Sequence, residues 1–139
     1  GTENICAGDE RILMCSIFQH PFYPYSGTDK PAANMVNVPL PGGSGGEELQ
    51  AAVLESWIPR LDAFKPQMIF ISAGFDAHYE DDMGGMKLFE KDYAWVTTQL
   101  RDVAVRHANG RIVSMLEGGY VMSALARSVA AHLRALAEI

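Results

Sequence analysis

The feature that most constrains the fold of this chain is a small set of short, nearly continuous apolar runs. Two span Arg11 to Phe18 and Gln67 to Ser72, and Arg111 to Leu116 is a further predicted strand. A strand with one face in water alternates apolar and polar residues, so a continuous run indicates burial on both faces, as in a parallel sheet. Gln67 to Ser72 ends at Ala73-Gly74, small residues that allow a sharp turn, and is the predicted central strand.

Another strand and three helices are predicted around these runs. Apolar residues alternate over Met35 to Leu40, which indicates a strand, and Pro39 indicates that it lies at an edge or ends there. Apolar residues spaced by three and four form helical stripes over Leu49 to Trp57, Tyr93 to Ala104 and Leu125 to Leu136.

Local signals predict where the helices begin and end. Ser44 and Glu47 fit a capping box that begins the first helix, and Pro59 and Pro66 bracket its end. Asn109-Gly110 is a C-cap signal for the second helix.

The order strand, helix, strand, helix predicts an α/β chain with parallel pairing of its last two strands. Ligands of such folds bind beyond the carboxyl ends of the strands. We therefore expect the loops Gly74 to Gly85 and Glu117 to Tyr120 to be neighbours.

Composition and charge exclude several classes of function. The net charge is −6 and Lys and Arg are not clustered, which argues against a nucleic-acid surface. No stretch reaches the roughly 20 continuous apolar residues of a membrane span, and no signal peptide stands at the start. Cys6 and Cys15 are too few for a disulfide framework and are expected to be reduced thiols. We expect no nucleic-acid or membrane partner, and a cytoplasmic location.

Five polar side chains follow the predicted central strand within seven residues. They are Asp76, His78, Glu80, Asp81 and Asp82. Such a density of carboxylates indicates a hard or borderline cation, whereas the plain alternative is a solvated acidic loop whose aspartates cap turns. The spacing alone leaves both interpretations open.

The other loop places a phenol directly behind two glycines. The backbone at Gly118 and Gly119 can approach a ligand closely, and Tyr120 can donate a hydrogen bond to a developing oxyanion. A Gly-Gly-Tyr turn is also ordinary loop geometry, so this motif alone is weak.

Taken together, these motifs resemble the histone deacetylase family of zinc-dependent deacetylases, which includes bacterial acetylpolyamine amidohydrolases. The resemblance rests on Ser72 to His78 (Ser-Ala-Gly-Phe-Asp-Ala-His), on Asp81 three residues later, and on Leu116 to Tyr120 (Leu-Glu-Gly-Gly-Tyr). Further matches are Phe22-Tyr23-Pro24 and Asn37 to Leu40. The Ser-Ala-Gly-Phe-Asp segment is closer to the class II and bacterial branch than to class I. The implied fold is the C-terminal part of an arginase/deacetylase-type three-layer domain, with a mainly parallel central sheet flanked by helices.

The resemblance implies a metal role for the first loop. Asp81 matches the third zinc ligand, which completes a site made with an Asp-x-His pair from an earlier loop. The family usually has Pro at the next position, where this chain has Asp82, a second carboxylate. Asp76 is then interpreted as a structural carboxylate that bonds amides of its own loop, and His78 as a supporting or surface residue.

The resemblance also implies roles around the substrate. Tyr120 matches the tyrosine that polarises the substrate carbonyl, and Gly118 is expected to bind substrate beside it. Tyr23, and as a second choice Phe22, match aromatic positions that line the acyl-lysine or acyl-amine tunnel. The alternative for both is ordinary packing in the core or a loop. Ser16 and the Ile17 carbonyl fall near a structural K⁺ site of the family.

The implied activity is removal of acetyl or related acyl groups from acylated lysine or polyamine-type amines by a Zn²⁺ enzyme. The alternatives are an inactive deacetylase-like scaffold and an arginase-like dimetal hydrolase, which would need a second carboxylate suitably spaced. Gly1-Thr2 matches the point just after the Asp-x-His ligands, with the catalytic histidines earlier still. We therefore expect residues 1–139 to be a partial catalytic domain that requires the missing N-terminal portion and alone binds zinc weakly.

The remaining histidines are given structural or surface roles. His20 is expected at a loop rim, and His107 and His132 are expected to be exposed on helices.

Overall fold

The structure is a computed structural model that describes residues 1–138. Its strands are β1 (Met14–Gln19), β2 (Met35–Leu40), β3 (Ile69–Ala73) and β4 (Ile112–Leu116). Its helices are α1 (Thr2–Cys6), α2 (Gly46–Ala52), α3 (Ile58–Phe64), α4 (Glu90–His107) and α5 (Met122–Ala137), with a π-helical turn at Val53–Trp57 between α2 and α3.

The four strands form two parallel pairs. β1 pairs with β2 so that Met14 lies opposite Met35, and β3 pairs with β4 so that Ile69 lies opposite Ile112. Within residues 1–138 no strand ladder joins the two pairs. The α/β class and the parallel pairing of the last two strands are confirmed.

The first strand is shorter than predicted because a side chain holds the preceding residues in turns. The Asn34 amide nitrogen donates to the carbonyl oxygens of Cys6, Asp9 and Ile12 at 2.8 to 3.1 Å. The Asn34 carbonyl oxygen accepts from the Gly8 amide at 2.9 Å. The Ile12 carbonyl is thereby occupied, and the Ile12 amide donates to the Asp9 carbonyl at 3.0 Å, so neither group is free for a strand starting at Arg11 and β1 begins at Met14.

The predicted capping box is wrong in detail, whereas the helical stretch does end between Pro59 and Pro66, at Phe64. Glu48, not Glu47, reaches back to accept the Gly45 amide at 2.8 Å, while the Ser44 hydroxyl donates to the Pro41 carbonyl. The helix also continues past Pro59. A π-helical turn, in which each hydrogen bond spans one more residue than in an α-helix, lies just before Pro59. This turn accommodates the missing N–H of the proline, so α3 runs on to Phe64.

The core lies between the strands and helices in two clusters. One contains Leu49, Val53, Ala73, Phe75, Leu88 and Tyr93. The other contains Leu61, Ile69, Val103, Ala104 and Ala108. Every second residue of β3 therefore packs inward. Both cysteines are free thiols, and burial raises the pKa of Cys15 to about 11.

The opposite face of β3 and β4 is bare. Phe70 is 64% exposed and Met115 is 49% exposed, and Val113 beside Phe70 is also exposed. Within residues 1–138 the helices cover only one face of these apolar runs, and burial of both faces stays a prediction for the complete domain. A sheet face of this composition is typical of a surface that packs against further protein.

His132 is buried, so its predicted exposure is wrong. Its Nδ1 lies 2.7 Å from the Thr97 hydroxyl and its Nε2 lies 2.8 Å from the Ser114 hydroxyl, which ties α5 to α4 and β4. Thr97 donates its own proton to the Tyr93 carbonyl, so we assign Nδ1 as the donor and Nε2 as the acceptor. Burial lowers the pKa of His132.

This burial predicts a specific pH dependence of stability. The unfolded imidazole binds a proton below its usual pKa of 6.5, whereas the folded one resists it. The stabilising contribution is therefore present above pH 6.5 and is lost as the pH falls below it. Urea unfolding between pH 5 and 8 should show a weaker pH dependence for His132→Gln than for the parent chain. Identical pH dependence in the two proteins would contradict this assignment.

Candidate functional site

A cavity of about 340 Å³ opens between β1 and β3, toward their carboxyl ends. Its walls come from Ile17 to Gln19, from Ile71 to Ala73 and from the loop that follows, Gly74 to Ala77. Most of the lining is apolar, and Asp76 is the carboxylate among the lining residues. An apolar pocket with a few polar groups is the usual form of a small-molecule site.

The two loops expected to be neighbours are joined by hydrogen bonds. The Phe75 amide donates to the Gly118 carbonyl at 2.8 Å, and the Glu117 amide donates to the Ala73 carbonyl at 3.0 Å. The parallel pairing of β3 with β4 therefore continues into the loops and places Tyr120 beside the acidic segment.

Asp76 carries the open carboxylate of the site. It is half-buried, lines the cavity, and makes no side-chain hydrogen bond to another residue of the described chain 1–138. Gly118 packs directly against it: a methyl group on Gly118 would lie 2.6 to 2.8 Å from the Asp76 carboxylate atoms. Burial raises the pKa of Asp76, and the charges of Asp81 and Glu117 raise it further. A cation in front of this carboxylate would offset both effects.

Asp81 has both carboxylate oxygens occupied. Oδ1 accepts the Met83 amide at 3.0 Å, and Oδ2 accepts the Tyr120 amide at 2.8 Å. The side chain is buried, whereas neighbouring Asp82 is exposed. The backbone hydrogen bonds expected of Asp76 are thus made by Asp81, and the zinc-ligand role of Asp81 stays a prediction.

His78 supports the loop from inside. It is 1% exposed, which rules out the surface alternative, and its Nδ1 accepts the Glu80 amide at 3.1 Å. The proton is accordingly assigned to Nε2, which lies 3.3 Å from the Glu90 carboxylate but outside hydrogen-bond geometry. Arg127 binds Glu90 and also Glu80, at 2.7 Å, so α5 is tied to the loop and to the start of α4. The Arg127 guanidinium lowers the pKa of Glu90 to about 2.

The aromatic residues expected around the substrate differ in their position relative to the cavity. Phe22 lines the cavity, as does Ile17, while Tyr23 is 80% exposed and is not part of the lining. Of the two tunnel aromatics expected, the structure brings only Phe22 to this cavity. Tyr120 is 57% exposed and, like Tyr23, is not among the lining residues. The potassium site near Ser16 stays a prediction.

Residues 1–138 contain no group of three or more His, Cys, Asp or Glu placed to hold a metal ion. Nor is any helix in this range long and apolar enough to cross a bilayer.

Residues 1–136 match the model of the histone deacetylase domain. The chain belongs to the histone deacetylase family. It is 40% identical to type-2 histone deacetylase 2 of Dictyostelium discoideum, over 99% of this chain and 9% of that protein. It is 35% identical to a histone deacetylase-like amidohydrolase of Pseudomonas aeruginosa, over 86% of this chain and 33% of that protein.

Solved structures agree with the fold. The structure of the HDA15 HD domain superposes with a TM-score of 0.88 at 30% identity, covering 98% of this chain and 40% of that one. The resemblance inferred from the motifs, including its class II and bacterial leaning, is confirmed. The chain spans well under half the length of these relatives, and it matches part of a deacetylase domain structure.

Asp76 belongs to the acidic cluster that suggests a cation, but the resemblance gave the ligand role to Asp81 and a structural role to Asp76. The position of Asp76 directly after Gly74-Phe75, where the strand ends, is where open α/β sheets bind ligands.

The contact between Gly118 and Asp76 can be tested through stability. Gly118→Ala should destabilise the fold by about 1 to 3 kcal/mol, because the added methyl overlaps the Asp76 carboxylate. In the Asp76→Ala background the same substitution should cost much less. Urea unfolding of the four proteins measures this, and equal costs in both backgrounds would show that the overlap is not the cause.

Proposed function

We propose that this chain contributes one metal ligand and the oxyanion donor of a zinc-dependent deacetylase. The substrate would be an acylated lysine or a polyamine-type amine, and the bond broken would be its amide. The observation that carries the proposal is the open Asp76 carboxylate at an apolar cavity, one loop away from Tyr120. Membership of the histone deacetylase family supports it.

Asp76 is the proposed zinc ligand, in place of Asp81. Each Asp81 oxygen already accepts one backbone amide, from Met83 or from Tyr120, so it has fewer lone pairs to offer a metal than the Asp76 carboxylate has. Asp76 is partly desolvated and surrounded by negative charge, which favours a cation partner. A carboxylate of this kind fits zinc, which accepts Asp oxygen as a ligand. Asp81, the choice from the sequence, is the alternative.

The remaining zinc ligands and the histidine base are proposed to come from outside these residues. Catalytic zinc takes three protein ligands, and one carboxylate does not hold it against water. Within residues 1–138 no strand ladder joins β1 and β2 to β3 and β4, the cavity opens between β1 and β3, and the face of β3 and β4 that carries Phe70 and Met115 is bare. These features favour a larger domain that packs against this chain.

Tyr120 is proposed to stabilise the transition state. When bound, zinc supplies Lewis-acid polarisation of the acyl carbonyl and makes water a better nucleophile. The Tyr120 hydroxyl would donate a hydrogen bond to the oxygen that gains charge. Phe22 and Met83 at the cavity would contact the substrate's apolar portion and exclude water.

A cytoplasmic location remains part of the proposal.

Metal content should separate the two aspartates. In the full-length protein, Asp76→Asn should weaken zinc binding by more than about tenfold, because a ligand is lost. Asp81→Asn should retain zinc. Elemental analysis after dialysis against a graded chelator series measures this. Loss of zinc from Asp81→Asn with retention in Asp76→Asn would return the ligand role to Asp81.

Activity should depend on zinc and on Tyr120. Turnover of an acetyl-lysine peptide or acetylated polyamines by the full-length protein should stop with chelator and return with zinc. Tyr120→Phe should lower kcat by about 100-fold, as removal of an oxyanion donor does, with zinc content unchanged. A full-length protein without zinc and without turnover would instead be a non-catalytic deacetylase-like scaffold.

A further inference from the structure

The position of Tyr120 depends on its backbone more than on its ring. The side chain is 57% exposed, so packing gives the phenol little support. α5 begins two residues later, at Met122, and has no side-chain cap at its start. What holds the residue is its amide, which donates to Asp81 Oδ2 at 2.8 Å.

The Asp81 side chain is itself fixed by burial and by hydrogen bonds, so it can hold the Tyr120 amide in place. It is 4% exposed, its Oδ1 accepts the Met83 amide, and its own amide donates to the His78 carbonyl at 2.9 Å. One carboxylate therefore links the acidic loop to the turn that carries Tyr120, across 39 residues of sequence. A hydrogen bond to a charged, buried acceptor is stronger than a neutral one.

The rest of the turn is fixed up to the residue before Tyr120. The Gly118 carbonyl accepts the Phe75 amide, and Gly119 has a φ of +139° and packs against Phe75 and Leu125. On the other side the Val121 carbonyl accepts the Leu125 amide at 2.8 Å, so the Asp81 bond holds the Tyr120 backbone between this turn and the start of α5.

We infer that Asp81 is a positioning residue that sets the place of the Tyr120 hydroxyl through the Tyr120 amide. It touches neither substrate nor metal. The inference rests on the proposed function, in which Tyr120 donates to the developing oxyanion. Asp81→Asn keeps the shape but places an NH₂ group against one of the two amides, so one of the two hydrogen bonds is lost.

A double-mutant cycle with kcat as the readout tests the inference in the full-length protein loaded with zinc. Asp81→Asn alone should lower kcat by about 10- to 100-fold with little change in KM, since misplacement of about 1 Å has effects of that size. In the Tyr120→Phe background the same change should cost less than about twofold, because the hydroxyl it positions is gone. Equal losses in both backgrounds would overturn the inference.

Asp92→Asn is the matched control. Asp92 is also buried, at 2% exposed, and its Oδ2 accepts the Phe89 amide at 2.9 Å, at the start of α4. Asp92→Asn is expected to alter thermal stability but to leave kcat within about twofold. If disturbing any buried aspartate lowered activity, kcat would fall in both Asp81→Asn and Asp92→Asn.

Zinc content and amide exchange complete the test. Asp81→Asn should hold as much zinc as the parent, and a loss equal to that of Asp76→Asn would make Asp81 a ligand and overturn the inference. If Asp81→Asn does not fold, hydrogen exchange in the unaltered protein tests the inference instead. The Tyr120 amide should be as protected as the Phe75 amide, and fast exchange of the Tyr120 amide would overturn the inference. Absence of turnover in the parent would count against the proposed function, while a protected Tyr120 amide would still support the positioning bond.

Discussion

The parallel pairing of β3 with β4 is the constraint on which the candidate site depends. It brings the ends of two strands, 43 residues apart along the chain, into register at Ala73 and Leu116. The bonds between Phe75 and Gly118 and between Asp81 and Tyr120 extend that pairing beyond the sheet. Without it, the acidic segment and the glycine turn would be two unrelated loops.

Charge is distributed unevenly around this junction. Burial raises the pKa of Asp76, and the charges of Asp81 and Glu117 raise it further, whereas Asp81 accepts the amides of Met83 and Tyr120. Arg127 offsets the carboxylates of Glu80 and Glu90 at the outer side of the loop. On the inner side, no basic side chain of residues 1–138 offsets the charge of the Asp76 carboxylate.

The sequence was sufficient for the architecture and for the meeting of the two loops. Continuous apolar runs such as Gln67 to Ser72 identified the strands, and strand order then predicted which loops adjoin. It was insufficient to show that both oxygens of Asp81 accept backbone amides, because one of those amides, that of Tyr120, lies 39 residues away. The burial of His132 was missed for a similar reason: its partners Thr97 and Ser114 come from two other elements.

The bond from Asp81 reaches the main chain of Tyr120 and not its side chain. Every residue except proline presents the same amide, so the turn is held whatever side chain stands at position 120. In evolutionary terms, this separates the scaffold from the chemistry: a lineage can replace the phenol, and so change or silence the reaction, without giving up the geometry of the loop.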